Sequence, residues 1–119
     1  MTLHHIAILC SSACSIQFYE ALGFILIKRH ARPERNDEIV MMSGNGITLE
    51  LFIDENHPQR LTNPEAMGLR HLAFKVEDVS DITKKMAQYH PELIRLDSFT
   101  GERMTFVKDP DGLPIELHE

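Results

Sequence analysis

Stretches of strand length recur along this chain, the first being LHHIAIL at 3–9, and ITLEL at 47–51 alternates apolar and polar residues with a period of two. That period marks half-buried strands, and the apolar spacing of CSIQFYEAL (14–22) marks a short helix instead. Strands are then predicted near FILIKRH (24–30), EIVMMS (38–43) and ITLELFI (47–53), with GNG at 44–46 as a tight hairpin turn. A second set follows. It comprises a strand at 69–76, a helix over VSDITKKMAQY (79–89) capped by Asp78 or Ser80, and strands near ELIRLD (92–97), RMTFVK (103–108) and LPIELH (113–118). DPDG, 109–112, has the proline and glycine chemistry of the last turn.

The two sets are copies of one unit. A shift of 66 residues lays LHHIAIL on LRHLAFK and ITLEL on LPIEL, so that Leu3, His5 and Ala7 match Leu69, His71 and Ala73, and Glu50 and Leu51 match Glu116 and Leu117. In each copy 45 positions separate the histidine from the glutamate. The expected fold is therefore α+β: two tandem βαβββ modules, about 1–53 and about 65–119, forming a curved mixed sheet around a cleft. The polar stretch DENHPQRLTNP (54–64), with two prolines and no sustained period, links them within one domain spanning 1–119. One side of a four-stranded sheet is covered by its helix and the other is bare, so two modules, from one chain or two, must meet to enclose a pocket.

Alternation sorts the strand residues into faces. His4, Ile6 and Ile8 are expected under the helix and His5 on the concave side, with the small Ala7 leaving room beside it. Leu72 and Phe74 go to the helix side and His71 and Ala73 inward. Leu49, Leu51, Ile115 and Leu117 belong to the core, which leaves Glu50 and Glu116 on the same concave face as the two repeated histidines. Met104 and Phe106 fit either the pocket wall or the core.

Composition narrows the partners. Twelve Lys+Arg stand against 18 Asp+Glu, a net charge of −6 without any basic run, which argues against nucleic acid or an anionic membrane and leaves a small molecule or another protein chain. No window is long and apolar enough for a spanning helix, and the N-terminus lacks the pattern of a signal peptide, so a cytoplasmic location is expected. Cys10 and Cys14 are expected as reduced, small buried residues, since no second pair accompanies them and their spacing is not C-x-x-C.

Two imidazoles and two carboxylates converging on a semi-enclosed cleft are costly without a partner, because a buried unpaired carboxylate costs several kcal/mol or shifts its pKa. A divalent cation removes the problem. Two glutamates offset its charge, neutral imidazoles donate lone pairs, and water completes six-coordinate nickel, cobalt or manganese, or zinc with an expanded shell. The remaining histidines are set aside as ligands: His4 by its face, His30, His57 and His90 by their place in or near loops, and His118 by its position at the chain end. Arg29, Arg32, Arg35, Arg70, Arg95, Arg103 and Lys108 are read as solvated surface charges.

HHIAI, FYEALGF, TLELF, GLRHLAFKVEDV and FVKDPDGLPIELHE together resemble the vicinal oxygen chelate superfamily, also called the glyoxalase/bleomycin-resistance/dioxygenase group, over essentially the whole chain. The resemblance implies paired βαβββ modules and a divalent metal held by His5, Glu50, His71 and Glu116. Retention of all four is most similar to the glyoxalase I and epimerase branches, which act through a metal-stabilised enediolate on substrates such as the hemithioacetal of a 2-oxoaldehyde and a thiol. In that comparison Glu116 is the catalytic base and Glu50 the second candidate. An iron-dependent ring-cleaving dioxygenase, or a non-catalytic drug- or metabolite-binding module, are the alternatives. The resemblance also implies a homodimer.

Overall fold

The computed structural model describes all residues from Met1 to Glu119. The chain divides into two compact units, Met1–Gln59 and Arg60–Glu119, with the division inside the polar stretch at 54–64.

In the first unit, β1 (Ile6–Cys10) is followed by α1 (Cys14–Ala21), β2 (Ile25–Arg32), a 3₁₀ turn (Pro33–Arg35), β3 (Asp37–Gly44) and β4 (Ile47–Ile53). The sheet order is β1-β4-β3-β2, with β1 parallel to β4 and the other neighbours antiparallel. Helix α1 stops because Gly23, at φ +94°, takes the left-handed conformation that lets its own N–H reach Glu20 O (2.9 Å) and that of Phe24 reach Tyr19 O (3.0 Å). Those bonds satisfy carbonyls the helix end would leave open. Asn45 and Gly46, at φ +52° and +77°, join β3 to β4 as a two-residue hairpin whose twist needs that backbone region. Asn45 Nδ2 also donates to Leu22 O at 3.0 Å, tying the hairpin to the end of α1.

The apolar alternation becomes a core on one face only. Leu49, Leu51, Val40 and Met42 are sealed from solvent together with Phe18 and Tyr19 of the helix. Phe18, Tyr19 and Phe24 meet edge to face, at centroid separations of 5.1 and 6.0 Å.

The second unit repeats the order. It contains β5 (Leu72–Lys75), α2 (Val79–Lys85), a 3₁₀ turn (Ala87–Tyr89), β6 (Arg95–Leu96), β7 (Arg103–Lys108) and β8 (Pro114–His118). Its sheet order, β5-β8-β7-β6, with β5 parallel to β8, matches the first. Of the two cap candidates, Asp78 is the one used: its side chain accepts the Ser80 N–H at 2.7 Å. Asp109 organises the DPDG turn, since its buried Oδ1 accepts N–H bonds from Asp111 (2.9 Å) and Leu113 (2.8 Å).

Three strands are shorter than the alternation predicts. β1 and β5 begin at Ile6 and Leu72, so His5 and His71 lie on the residues leading into them. β6 keeps two residues of the six in ELIRLD. It is an edge strand whose Leu93 and Leu96 are exposed, and Pro91 before it has no N–H to offer a ladder. The predicted helix over 79–89 is broken into α2 and the 3₁₀ turn, which ends at His90 in the left-handed region.

Candidate functional site

Strand register decides what faces the site. In the first unit Ala7 is paired with Glu50, and His5 precedes Ala7 by two residues on the same side. His5 Nε2 lies 3.1 Å from Glu50 Oε2, with side-chain exposures of 38% and 22%. In the second unit Ala73 is paired with Glu116, and His71 Nε2 lies 3.0 Å from Glu116 Oε2. This second pair is more shielded, with exposures of 29% and 12%. Each pair arises in the same way: a parallel pairing of the first and last strands of a unit brings together two residues that are 45 positions apart in sequence. Ala7 and Ala73 are exposed, so no large side chain fills the space beside either imidazole.

The chemistry of the donor set suits a divalent ion. Each unit offers one imidazole nitrogen and one carboxylate within 3.1 Å, and neither Glu50 nor Glu116 lies within ion-pair distance of a lysine or arginine. The negative charge is thus left for a cation to neutralise.

His4 departs from the expected face. It lies before β1, exposed, and its Nδ1 is 2.8 Å from Nδ1 of His5, with the rings edge to face at 5.0 Å. One of the two nitrogens must donate to the other, so His4 orients His5 instead of packing beneath α1. Cys14 also departs from expectation: Cys10 is buried at the end of β1, while Cys14 is exposed at the start of α1, and neither forms a disulfide.

Phe106 lies opposite Glu116 in the β7–β8 ladder and meets the His71 ring edge to face at 5.3 Å. The Arg95 guanidinium sits 5.6 Å from the Phe106 centroid. Phe106 is therefore a wall residue, whereas Met104 is buried at 4% exposure. Together with Tyr89, His90, Glu92 and Lys108, Phe106 lines a hollow of about 310 Å³ in the second unit.

Most of the cations set aside from the sequence are engaged by carboxylates. Arg29 bonds Glu38, Arg70 bonds Glu65, Arg95 bonds Glu92 and Arg103 bonds Glu119. Arg32 makes a two-pronged bond to Asp37 while stacked 5.3 Å from the Phe52 centroid. That hydrogen bond holds the Asp37 carboxyl below the usual range and pushes the Arg32 guanidinium further up. Lys108 has no carboxylate within ion-pair distance.

A further group went unread in the sequence. Donor atoms of Asp97, Glu116 and His118 all lie within 4.8 Å of one another. The loop DSFTGE places Asp97: its Oδ1 accepts N–H bonds from Phe99 (2.6 Å) and Thr100 (3.0 Å). The Thr100 and Phe99 N–H groups keep the Asp97 carboxyl below its ordinary value. The Asp, Ser, Thr and Gly of that loop are turn residues, which was the one available signal. His118 is the last residue of β8 and only 17% exposed in its side chain, shielded by that loop and not frayed.

The family model described as Glyoxalase/Bleomycin resistance protein/Dioxygenase superfamily matches residues 2–117. The chain is 44% identical to the uncharacterised protein YwkD of Bacillus subtilis, over 99% of this chain and 96% of that one. Among solved structures it is similar to a glyoxalase family protein from Enterococcus faecalis, at a TM-score of 0.91 and 43% identity, covering 99% of this chain and 97% of that one. It is also similar to the trypanothione-dependent glyoxalase I of Leishmania major, at a TM-score of 0.76 and 28% identity over 100% of this chain and 86% of that one. No helix is long and apolar enough to cross a membrane.

Proposed function

Because the chain belongs to the glyoxalase/bleomycin resistance protein/dioxygenase superfamily, we propose that it is a divalent-metal-dependent enzyme of the glyoxalase I type, or a related isomerase or epimerase, acting beside a carbonyl. The observation that supports this reading best is the matched pair of contacts, His5 with Glu50 at 3.1 Å and His71 with Glu116 at 3.0 Å, at equivalent register in two copies of one unit. Those four residues, drawn from one chain or from two across a homodimer, would hold nickel, zinc, cobalt or manganese. When bound, the ion supplies Lewis acidity that makes the carbon beside the carbonyl easier to deprotonate.

The chain's own residues move the proton. Glu116, shielded to 12% exposure, takes the hydrogen from the carbon bearing the hydroxyl and the thioether, and returns it to the neighbouring former carbonyl carbon. The hydroxyl proton passes to the former carbonyl oxygen. The hemithioacetal becomes a 2-hydroxy thioester, with no external oxidant or reductant. Low exposure suits a general base that must hold one proton between two carbons without losing it to bulk water. The exposed alanines leave room for the substrate beside the imidazoles, and the Phe106 ring steadies His71 from the side.

Glu50 counts against an iron dioxygenase, whose metal set resembles two histidines and one glutamate. The test is metal identity and stoichiometry on untagged protein, followed by a screen of hemithioacetals read as thioester absorbance. Chelation should abolish turnover, re-addition should restore it, and Glu116→Gln should lose it while keeping the fold. Oxygen uptake with catechols would replace this reading with the dioxygenase. Protein purified without metal, whose ligand affinity Glu116→Gln leaves unchanged, would replace it with a binding module.

A further inference from the structure

We propose that Asp97, Glu116 and His118 form a second divalent-cation site, built wholly within the second unit and sharing only Glu116 with the centre proposed above. Three independent features of the structure lead to it.

The first is the state of the imidazole. His118 Nδ1 lies 2.7 Å from the main-chain oxygen of Glu119, an acceptor with no hydrogen, so Nδ1 carries the proton and donates it. Glu102 Oε2, 3.3 Å from the same nitrogen, reinforces that assignment. Nε2 points to the other side, where Asp97 Oδ2 lies 3.8 Å away, and in the neutral imidazole it is the nitrogen that carries the lone pair. A histidine whose far nitrogen is anchored to a carbonyl is the arrangement that orients an imidazole toward a metal.

The second is the aspartate. Its Oδ1 is occupied by the N–H groups of Phe99 and Thr100, which leaves Oδ2 for His118 Nε2, 3.8 Å away, in a group whose third member is Glu116.

The third is the absence of a fixed positive charge. The side chains of Asp97, Glu116 and His118 are only 22%, 12% and 17% exposed, and no lysine or arginine lies within ion-pair distance of either carboxylate. Glu116 is met by His71 at 3.0 Å and Asp97 by His118 at 3.8 Å, and the Thr100 hydroxyl lies 3.1 Å from His118 Nε2, the nitrogen that carries the lone pair when the ring is neutral. An ion at the centre would neutralise both carboxylates and take that lone pair.

The span is right for an ion. Donors about 2.1 Å from a metal stand roughly 3–4 Å apart, so a group within 4.8 Å closes on an ion by side-chain rotations of about 1 Å. One imidazole and two carboxylates, with water in the open positions, suit manganese or zinc.

The test uses the full chain, stripped by chelation and titrated with manganese(II), whose free form is counted by its paramagnetic resonance signal. Asp97→Asn retains an Oδ1 acceptor for the loop N–H groups, and His118→Gln is a second variant should that loop fail; melting curves confirm the fold of each. The expected result is two equivalents bound by the unmodified chain. Asp97→Asn and His118→Gln should each lose one of them and keep the other, which His5→Ala loses. A single equivalent lost in the Asp97 and His118 variants but kept in His5→Ala supports this site and removes the four-residue centre. One equivalent lost only in His5→Ala, or two that neither Asp97→Asn nor His118→Gln weakens, overturns this inference and leaves the centre standing. No binding overturns both.

Discussion

Replacing His71 by alanine separates a metal ligand from a structural histidine. On the proposed function His71 is one of four protein donors. Apparent binding free energies of structural zinc sites with four ligands are about 10–16 kcal/mol, so each donor contributes roughly 2.5–4 kcal/mol. At about 1.4 kcal/mol per decade this is a loss of roughly 10²–10³ in affinity. His71→Ala should therefore be nearly empty when purified in the presence of a weak competing chelator, and so should His5→Ala. The metal-free proteins should differ. Losing His71 leaves Glu116 unpaired at 12% exposure, whereas losing His5 leaves Glu50 at 22%. An unsatisfied, largely buried polar group costs about 1–3 kcal/mol. Water entering the vacated imidazole volume puts His71→Ala at the low end, near 1 kcal/mol, and His5→Ala below it. A chain of this size should then melt about 4 °C lower for His71→Ala. Elemental analysis reads the first effect, and thermal unfolding with and without chelator reads the second. Full metal occupancy in both variants would refute the ligand assignment, and an equal melting shift with metal retained would make both histidines structural.

His4→Ala should weaken metal binding roughly tenfold without emptying the site, because His4 holds the ring of His5 through the 2.8 Å contact between their Nδ1 atoms. Unchanged affinity on metal titration would mean that the contact orients nothing. Gly44→Ala should destabilise the protein by about 1–3 kcal/mol in a denaturant titration, since a Cβ there would stand 2.7 Å from Gly23 O and 2.9 Å from Phe24 Cα, both main-chain atoms. A change within experimental error would show that the first hairpin can shift away from the end of α1. Asp37→Asn should flatten the acid limb of the stability curve. The Arg32 bond lowers the folded carboxyl pKa, so its contribution is present above the ordinary aspartate value near 3.9 and is lost as pH falls through the lower folded value. Acid unfolding curves that coincide for the two proteins would contradict this.

The repeat carried most of the fold. A shift of 66 residues exposed two copies of one element order, and alternation within each strand sent Leu49, Leu51, Ile115 and Leu117 to the core, where the structure buries them completely or nearly so. Strand alternation is a property of adjacent residues, so a linear reading can see it. Ends were less legible. β6 shrank to Arg95–Leu96 because an edge strand depends on what covers it. His4 was assigned to the helix side by a period that had not yet begun, since β1 starts at Ile6.

The pairing of His5 with Glu50 and of His71 with Glu116 has both a sequence part and a tertiary part. Matched residue types at a spacing of 45 marked the four as a set, but parallel register between the first and last strands of each unit decided that they touch at 3.1 and 3.0 Å. Asp97 and His118 carried no such mark. They do not recur in the first unit, and they meet only because a turn stabilised by Asp97 folds the 97–102 loop over the end of β8. Sequence by itself determined which positions are apolar, which are duplicated and where the chain must turn, because those properties are local or periodic. Tertiary structure alone decided which nitrogen faces which carboxylate and which carboxylates are left without a cation, because those depend on strand register and loop closure between residues distant in the chain.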